Sequence, residues 1–232
     1  MADSLLKTAM YEQFARVGKA LANPARLQLL DLLAQGERSV EDLASAAHMR
    51  LSNTSAQLRM LHDTGLLTSR RAGTRIFYRL SDEEVAALVE TVQDFANARI
   101  ATAEQAARAY LGDVADLDSI GRDELTRRLL AGNVVVLDVR PAAEYAAGHI
   151  PGAVSMPVEE LDVRLSELDP DQEIVAYCRG RYCVFAPQAV RRLREHGYHA
   201  RVLDGGMPEW RRASLPVNVR PDGRATVSTP AG

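Results

Sequence analysis

Apolar residues recur at Leu6, Met10, Phe14, Val17 and Leu21, a spacing that predicts an amphipathic helix over about residues 5–21. Asn23-Pro24 offers a capping side chain followed by proline in the first helical position, so a second helix starts there. Ser39 with Asp42 three residues on has the form of a capping box and opens a third. A fourth helix is predicted over about 52–64, ending at Gly65. Two short β-like runs, 66–71 and 74–80, joined at Ala72-Gly73, read as a hairpin. Ser81-Asp-Glu-Glu84 then caps a long helix with Val85, Leu88, Val89, Val92, Phe95 and Ile100 along one side.

The pattern changes after Tyr110, where residues 111–119 form a polar joint. Val134–Leu137, Ile174–Tyr177 and Arg201–Leu203 are short buried-strand runs, with helical patterns over about 158–168 and 184–196. Strands alternating with helices imply a parallel sheet covered on both faces, with its chemistry beyond the carboxyl ends of the strands. Beyond Asp222 no periodicity is legible, and a mobile tail is expected. The expected organisation is 1–110, a mainly α domain; 111–118, a linker; 119–218, an α/β domain; and 219–232, a tail.

The net charge of −3 argues against a nucleic-acid partner only if the charge is evenly spread. It is not: Arg50, Arg59, Arg70, Arg71, Arg75 and Arg79 face the single acid Asp63 within one 30-residue stretch, a local basic patch suited to DNA. Only two cysteines occur, both in the loop Cys178-Arg179-Gly180-Arg181-Tyr182-Cys183, which is no secreted disulfide framework. No signal peptide and no apolar run able to cross a bilayer is visible. A cytoplasmic location without membrane contact is therefore expected.

The order helix, helix, short turn, helix, hairpin is that of a winged helix-turn-helix. Leu21-Ala-Asn-Pro-Ala-Arg26-Leu, Ser55-Ala-Gln57-Leu58-Arg-Met-Leu61, Gly65-Leu-Leu and Arg70-Arg-Ala-Gly73-Thr-Arg75-Ile-Phe-Tyr78 resemble the ArsR family of bacterial repressors over roughly residues 5–107. The resemblance implies a homodimer built from the first and last helices, bound to a double-stranded DNA operator. In the second half, Asp138-Val-Arg140 through Glu144, His149 and Ala153, then Tyr177-Cys178-Arg179-Gly180-Arg181, then Leu203-Asp-Gly205-Gly206-Met-Pro-Glu-Trp210 resemble the three signatures of rhodanese domains. That resemblance implies a sulfur-accepting Cys178 and a small sulfur donor such as thiosulfate, polysulfide or a persulfide. It also implies that Asp138, Arg140, Glu144 and His149 tie the domain together, and that Trp210 packs. A related phosphatase loop needs arginine six positions after the cysteine; here that residue is Val184.

A thiol reacts as its thiolate, and the sequence offers two means of lowering the Cys178 pKa. One is the set of loop N–H groups at a helix N-terminus, and the other is the charge of Arg179 and Arg181. Pro187 fits the first turn of the following helix. Cys183 is either a small core residue or a second thiol able to close a disulfide or polysulfide bridge with Cys178. The loop, Cys178 through Cys183 with Arg179, Gly180, Arg181 and Tyr182, is thus one candidate site.

For DNA, the helix from Ser52 should enter the major groove, offering Ser52, Asn53, Thr54, Ser55, Gln57 and Arg59 to bases or phosphates. Leu58 and Leu61 should face the core. Arg70, Arg71 and Arg75 on the wing are expected phosphate or minor-groove contacts. His62 reads as a helix-surface residue. Ser39 and Glu41 stand where metal-binding cysteines of the family would, and the last helix has no histidine, so no metal and no cofactor is expected. A repressor sensing sulfane sulfur or oxidants, an active sulfurtransferase with a DNA-binding appendage, and a repressor with a degenerate rhodanese domain all remain open at this point.

Overall fold

A computed structural model describes residues 2–112, 114 and 116–219 of the chain. Asp113 and Ala115 of the polar joint, and residues 220–232 of the expected tail, lie outside the described residues. The chain divides into two compact units, separating between Ala96 and Asn97.

The first unit runs α1 (Ala2–Leu21), α2 (Pro24–Leu33), β1 (Arg38–Ser39), α3 (Val40–Ala46), α4 (Leu51–Asp63), β2 (Leu67–Ala72), β3 (Arg75–Leu80) and into α5 (Glu83–Arg99). Asn23 caps α2 by accepting the Arg26 N–H at 3.2 Å, ahead of Pro24. Ser39 caps α3 by accepting the Asp42 N–H at 3.1 Å, and the Asp42 carboxylate accepts the Ser39 hydroxyl at 2.7 Å rather than a backbone N–H. The Asp82 carboxylate caps α5 through the Val85 N–H. Leu29, Leu30, Leu43, Leu58 and Leu61 are fully buried at the centre of one core. The hairpin pairs Leu67 with Leu80 and Ala72 with Arg75, so its turn is Gly73-Thr74, one residue later than predicted. β1 adds a third strand against β3; two residues are too few to carry a legible alternation. The long helix stops at Arg99. Ile100 is extended (φ −116°, ψ 101°), and α6 (Ala101–Leu111) follows; no glycine or proline marks this break.

The second unit continues from α6 through β4 (Ser119–Ile120), α7 (Arg122–Ala131), β5 (Val135–Asp138), α8 (Ala142–Ala147), β6 (Val154–Ser155), α9 (Leu161–Arg164), β7 (Ile174–Tyr177), α10 (Phe185–Glu195), β8 (Ala200–Leu203) and α11 (Met207–Arg212). Five strands form one sheet in the order β4-β8-β7-β5-β6, every pairing parallel. The helix expected over about 158–168 is only α9, continued by a 3-10 turn over Leu165–Glu167. The tightening falls just ahead of Asp169-Pro170, where proline disfavours helical backbone in the residue before it.

Strand alternation sets up the site. Side chains of a strand point alternately to opposite faces. Ile174, Ala176 and Cys178 enter one core with Leu137, Ala189 and Val190. Val175 and Tyr177 enter the other with Val136, Leu203 and Trp210. Cys178 and Tyr177 are chain neighbours serving opposite faces.

On the Tyr177 face, Asp138 and Arg140 form an ion pair with both side chains at 0% exposure. Asp138 accepts Arg140 Nε at 2.9 Å and the Tyr177 hydroxyl at 2.6 Å. Arg140 also donates to the Gly148 carbonyl at 2.8 Å, and the Tyr177 oxygen accepts the Ile150 N–H at 3.1 Å. Burial opposes the guanidinium charge, but the hydrogen bond and charge of Asp138 hold it protonated above its ordinary value. Burial, with the Asp138 charge, pushes the Tyr177 phenol well above its usual range, so the phenol stays a donor. Removing one partner of such a pair leaves a bare buried charge. Arg140→Ala should lower stability by about 3–5 kcal/mol, read by urea unfolding with Trp210, the chain's single tryptophan, as fluorophore. A loss below about 1 kcal/mol, the scale of an exposed pair, would show that the pair is not what holds this unit.

Candidate functional site

Cys178 leaves the carboxyl end of β7, and the chain turns back at once: the Gly180 carbonyl accepts the Cys183 N–H at 3.1 Å. Gly180 sits at φ 142°, a conformation that L side chains avoid. The closing signature braces this turn. Met207 donates its N–H to the Cys178 carbonyl at 3.2 Å. A Cβ on Gly206 would lie 2.4 Å from the Gly180 nitrogen and 2.5 Å from the Cys178 oxygen, so only glycine fits there. The Glu209 carboxylate accepts the Gly206 N–H at 2.8 Å. α10 begins at Phe185 with Pro187 in its first turn, as the position of that proline requires.

Both thiols are reduced and buried, Cys178 at 2% and Cys183 at 9% exposure. The Cys178 sulfur lies 3.6 Å from the Cys183 carbonyl oxygen and 3.9 Å from that of Gly180. The two thiols influence each other's ionisation. Cys183 is at once part of the core and a partner of Cys178. They open on a cavity of about 190 Å³.

The electrostatics correct the expectation for Cys178. Burial pushes its thiol well above the ordinary range, and the adjacent Cys183 sulfur adds to this; the Gly180 and Ala186 N–H groups pull downward without prevailing. Cys183 is held below the ordinary range, chiefly by accepting the Cys178 hydrogen bond, against burial and with help from the Arg179 and Phe185 N–H groups. Of the two, Cys183 is therefore the thiol that ionises more readily. The Arg179 guanidinium, expected beside Cys178, is instead held by the buried Glu144 carboxylate at 2.6 and 3.1 Å, and lies 4.9 Å over the Phe185 ring. Arg181 is exposed and lines the cavity; Tyr182 is half-buried. His149 stacks on Tyr145 at 3.7 Å and meets its carbonyl, and Trp210 is buried with its indole N–H on the Pro216 carbonyl. These residues are structural.

In the first unit α4 presents Ser52, Asn53 and Arg59 as exposed residues and Ser55 and Gln57 as half-buried ones. Thr54 must be withdrawn from the base-reading set: it is fully buried and its hydroxyl donates to the Arg50 carbonyl at 3.1 Å. Leu58 and Leu61 face the core; His62 is a surface residue edge-on to Tyr78. One participant escaped the sequence reading. Arg26 is buried, donates to the Ala20 and Lys19 carbonyls, and meets Gln57 Oε1 at 2.9 Å. Gln57 Nε2 in turn donates to Asn53 Oδ1 at 3.1 Å. A buried arginine near the start of an α2 helix carried no separate signal in the residue pattern. On the wing, Arg75 is exposed and Arg71 donates to the Gly73 carbonyl at 3.1 Å. Arg70 is gripped by Glu37 through two 2.9 Å contacts and lies 4.7 Å over Phe77, so DNA would have to compete for it.

A three-layer parallel α/β unit with a cysteine loop at the strand ends, preceded by a winged helix-turn-helix, defines a two-part regulator. Residues 23–69 match the model for bacterial regulatory proteins of the arsR family, and residues 121–213 that of rhodanese-like domains. The HTH-type transcriptional regulator Rv0324 of Mycobacterium tuberculosis is 54% identical over 212 residues, covering 91% of this chain and 93% of that protein. The chain belongs to the ArsR-family transcriptional regulators that carry a C-terminal rhodanese-like domain. A sulfurtransferase of Allochromatium vinosum is 36% identical over 110 residues, 46% of this chain and 99% of its own. The solution structure of the homodimeric winged helix-turn-helix domain of Mb0332 from Mycobacterium bovis is 53% identical, covering 40% of this chain and 87% of that one, with a TM-score of 0.38.

The influence of each thiol on the other is testable. Thiolate absorbance of the reduced protein should begin to rise below the ordinary thiol range, from Cys183. Cys178→Ala, which removes the donor, should move the remaining titration to higher pH. An unchanged titration would mean that the two sulfurs do not share a hydrogen bond.

Proposed function

We propose that the protein is a homodimeric repressor whose operator affinity responds to sulfane sulfur or oxidants at Cys178, with Cys183 as proton acceptor and resolving thiol. The observation that carries this is the pair of buried thiols lining one cavity. Cys183, the more acidic thiol, takes the Cys178 proton once it is itself ionised, as Cys178 attacks the sulfane sulfur of the donor; the new S–S bond forms as the donor's own bond to that sulfur breaks and the rest of the donor leaves as an anion. Cys183 then attacks the resulting persulfide, forming the Cys178–Cys183 bond and releasing hydrogen sulfide. A loop that captures its own intermediate turns over poorly but records exposure. The alternative, an active sulfurtransferase localised by a DNA-binding half, draws support from the likeness to the Allochromatium protein; a second thiol this close weighs against it.

For the DNA half, the reading assigns base or phosphate contacts to Ser52, Asn53, Ser55, Gln57 and Arg59. Backbone contacts fall to Arg75 and Arg71, and to Arg70 once it leaves Glu37. Dimerisation is supported by Leu5, Leu6, Met10 and Phe14, which leave an apolar stripe on α1 at 45–73% exposure, and a second copy would cover it. No helix among the described residues is long and apolar enough to cross a membrane, and a cytoplasmic site of action suits a DNA ligand.

Two measurements test the proposal. Polysulfide or mild oxidation should weaken operator binding by about 5–150-fold, followed by fluorescence anisotropy with intact mass recorded in parallel. Cys178→Ser should abolish that response and leave binding by the reduced protein intact. Equal affinity of fully reduced and fully bridged dimers would end the sensor reading and favour the sulfurtransferase. Separately, Glu37→Gln frees Arg70 for a phosphate, so affinity for specific and random DNA alike should rise and the salt slope should steepen by about one unit. An unchanged slope would put Arg70 off the DNA.

A further inference from the structure

The cavity beside the thiols, about 190 Å³, exceeds the room the chemistry of one sulfur atom needs. An apolar cavity of about 150 Å³ already admits benzene. One wall comes from the chain ahead of β4, through Leu111, Val114 and Leu117, with Pro187 of α10 beside them. α10 clasps that wall: Arg191 donates to the Leu111 carbonyl at 3.3 Å, and Arg194 to the Asp116 carbonyl at 3.0 Å and the Asp118 carboxylate at 3.3 Å. The two charged residues lining the cavity, Arg181 and Asp204, have opposite signs, and the nearby Arg179 is engaged by Glu144. A small dianion such as thiosulfate finds no surplus of positive charge here to offset the loss of its water. An apolar group gains from the same walls.

We propose that the donor is an organic persulfide, R–S–SH, whose apolar R group lies against Leu111, Val114 and Leu117 while its outer sulfur meets Cys178. This rests on the reading of Cys178 as sulfur acceptor. The Cys178 thiolate, its proton passed to Cys183, attacks the outer sulfur; the new S–S bond forms as the R–S–S bond breaks, and R–S⁻ leaves with the proton. The sum, Cys178–SH + R–S–SH → Cys178–S–SH + R–SH, is balanced and moves one sulfur atom with no net oxidation. Leu111, Val114 and Leu117 act as specificity residues.

The test uses the full-length reduced protein with three donors: benzyl persulfide, cysteine persulfide and thiosulfate. Reaction at Cys178, seen either as the persulfide or as the Cys178–Cys183 bond it resolves to, is followed by mass spectrometry after brief exposure, and each rate is divided by that of a small thiol in solution with the same donor. This removes differences in intrinsic reactivity. Benzyl persulfide should exceed cysteine persulfide by about tenfold or more, the scale of burying a few methylene equivalents, with thiosulfate slowest. Val114→Lys and the milder, near-isosteric Val114→Thr should both erode the ratio of the benzyl persulfide rate to the cysteine persulfide rate, lysine more. Normalised rates for benzyl persulfide no greater than for the polar donors, or an advantage untouched by both variants, would overturn the donor assignment while Cys178 still accepts sulfur. Absence of both the persulfide and the Cys178–Cys183 bond with every donor would overturn that assignment together with the sensor reading on which it rests.

Discussion

The carboxylate of Asp138 and the guanidinium of Arg140 face each other with no exposure to solvent, two residues apart at the end of β5. Everything around the cysteine loop is measured from them. Asp138 takes the Tyr177 hydroxyl at 2.6 Å, and Tyr177 is the residue before Cys178. Arg140 takes the Gly148 carbonyl, fixing the turn that returns the chain to β6. Buried ion pairs of this kind are poor sources of net stability but costly to break. Here the pair binds β5, β7 and the α8–β6 connection into one register, on the face of the sheet away from the thiols.

That arrangement separates anchoring from chemistry. Strand alternation sends Tyr177 one way and Cys178 the other, so the Asp138–Arg140 pair bound to Tyr177 and the thiols serve opposite faces of the sheet. Glu144 extends the separation by drawing Arg179 toward the same structural network. The thiol pair is left in a largely apolar setting, where the dominant influence on each sulfur is burial and the other sulfur. A single thiol in such a place would be inert. Here a second thiol supplies a polar neighbour that the rest of the surroundings withhold.

Much of this was legible in the residues. The strand Ile174–Tyr177, the start of α2 at Asn23-Pro24 and the cap at Ser39 follow from alternation and capping chemistry alone, the Ser81–Glu84 run marked the start of α5 without showing that Asp82 is its cap, and Pro187 fixed the start of α10 to within two residues. The three signatures identified the second domain, and its sheet is the parallel one expected. What stayed hidden depended on tertiary contact. β1, β4 and β6 are two-residue strands, defined by their partners rather than by a pattern of their own. Thr54 looks like any polar residue of an exposed helix until the packing of α4 buries it. Arg179 and Arg70 read as free positive charge because Glu144 and Glu37, 35 and 33 residues away in the chain, give no local sign of reaching them. The inversion of the thiol pKa order has the same origin, since desolvation is a property of the folded surroundings and not of neighbours in sequence.

The chain of contacts from Arg26 through Gln57 to Asn53 has a kinetic side. Long polar side chains on a groove-reading helix normally sample several rotamers and must settle into one when DNA arrives, at about 0.5–1.5 kcal/mol for each side chain immobilised. Gln57 and Asn53 are already held, from beneath, by a guanidinium that two backbone carbonyls keep in place. Gln57 keeps one N–H and one lone pair for a base edge. If α4 reads the groove as proposed, groups set before contact would let it test each stretch of duplex within the brief lifetime of a non-specific encounter, its search limited by sliding and hopping rather than by side-chain rearrangement.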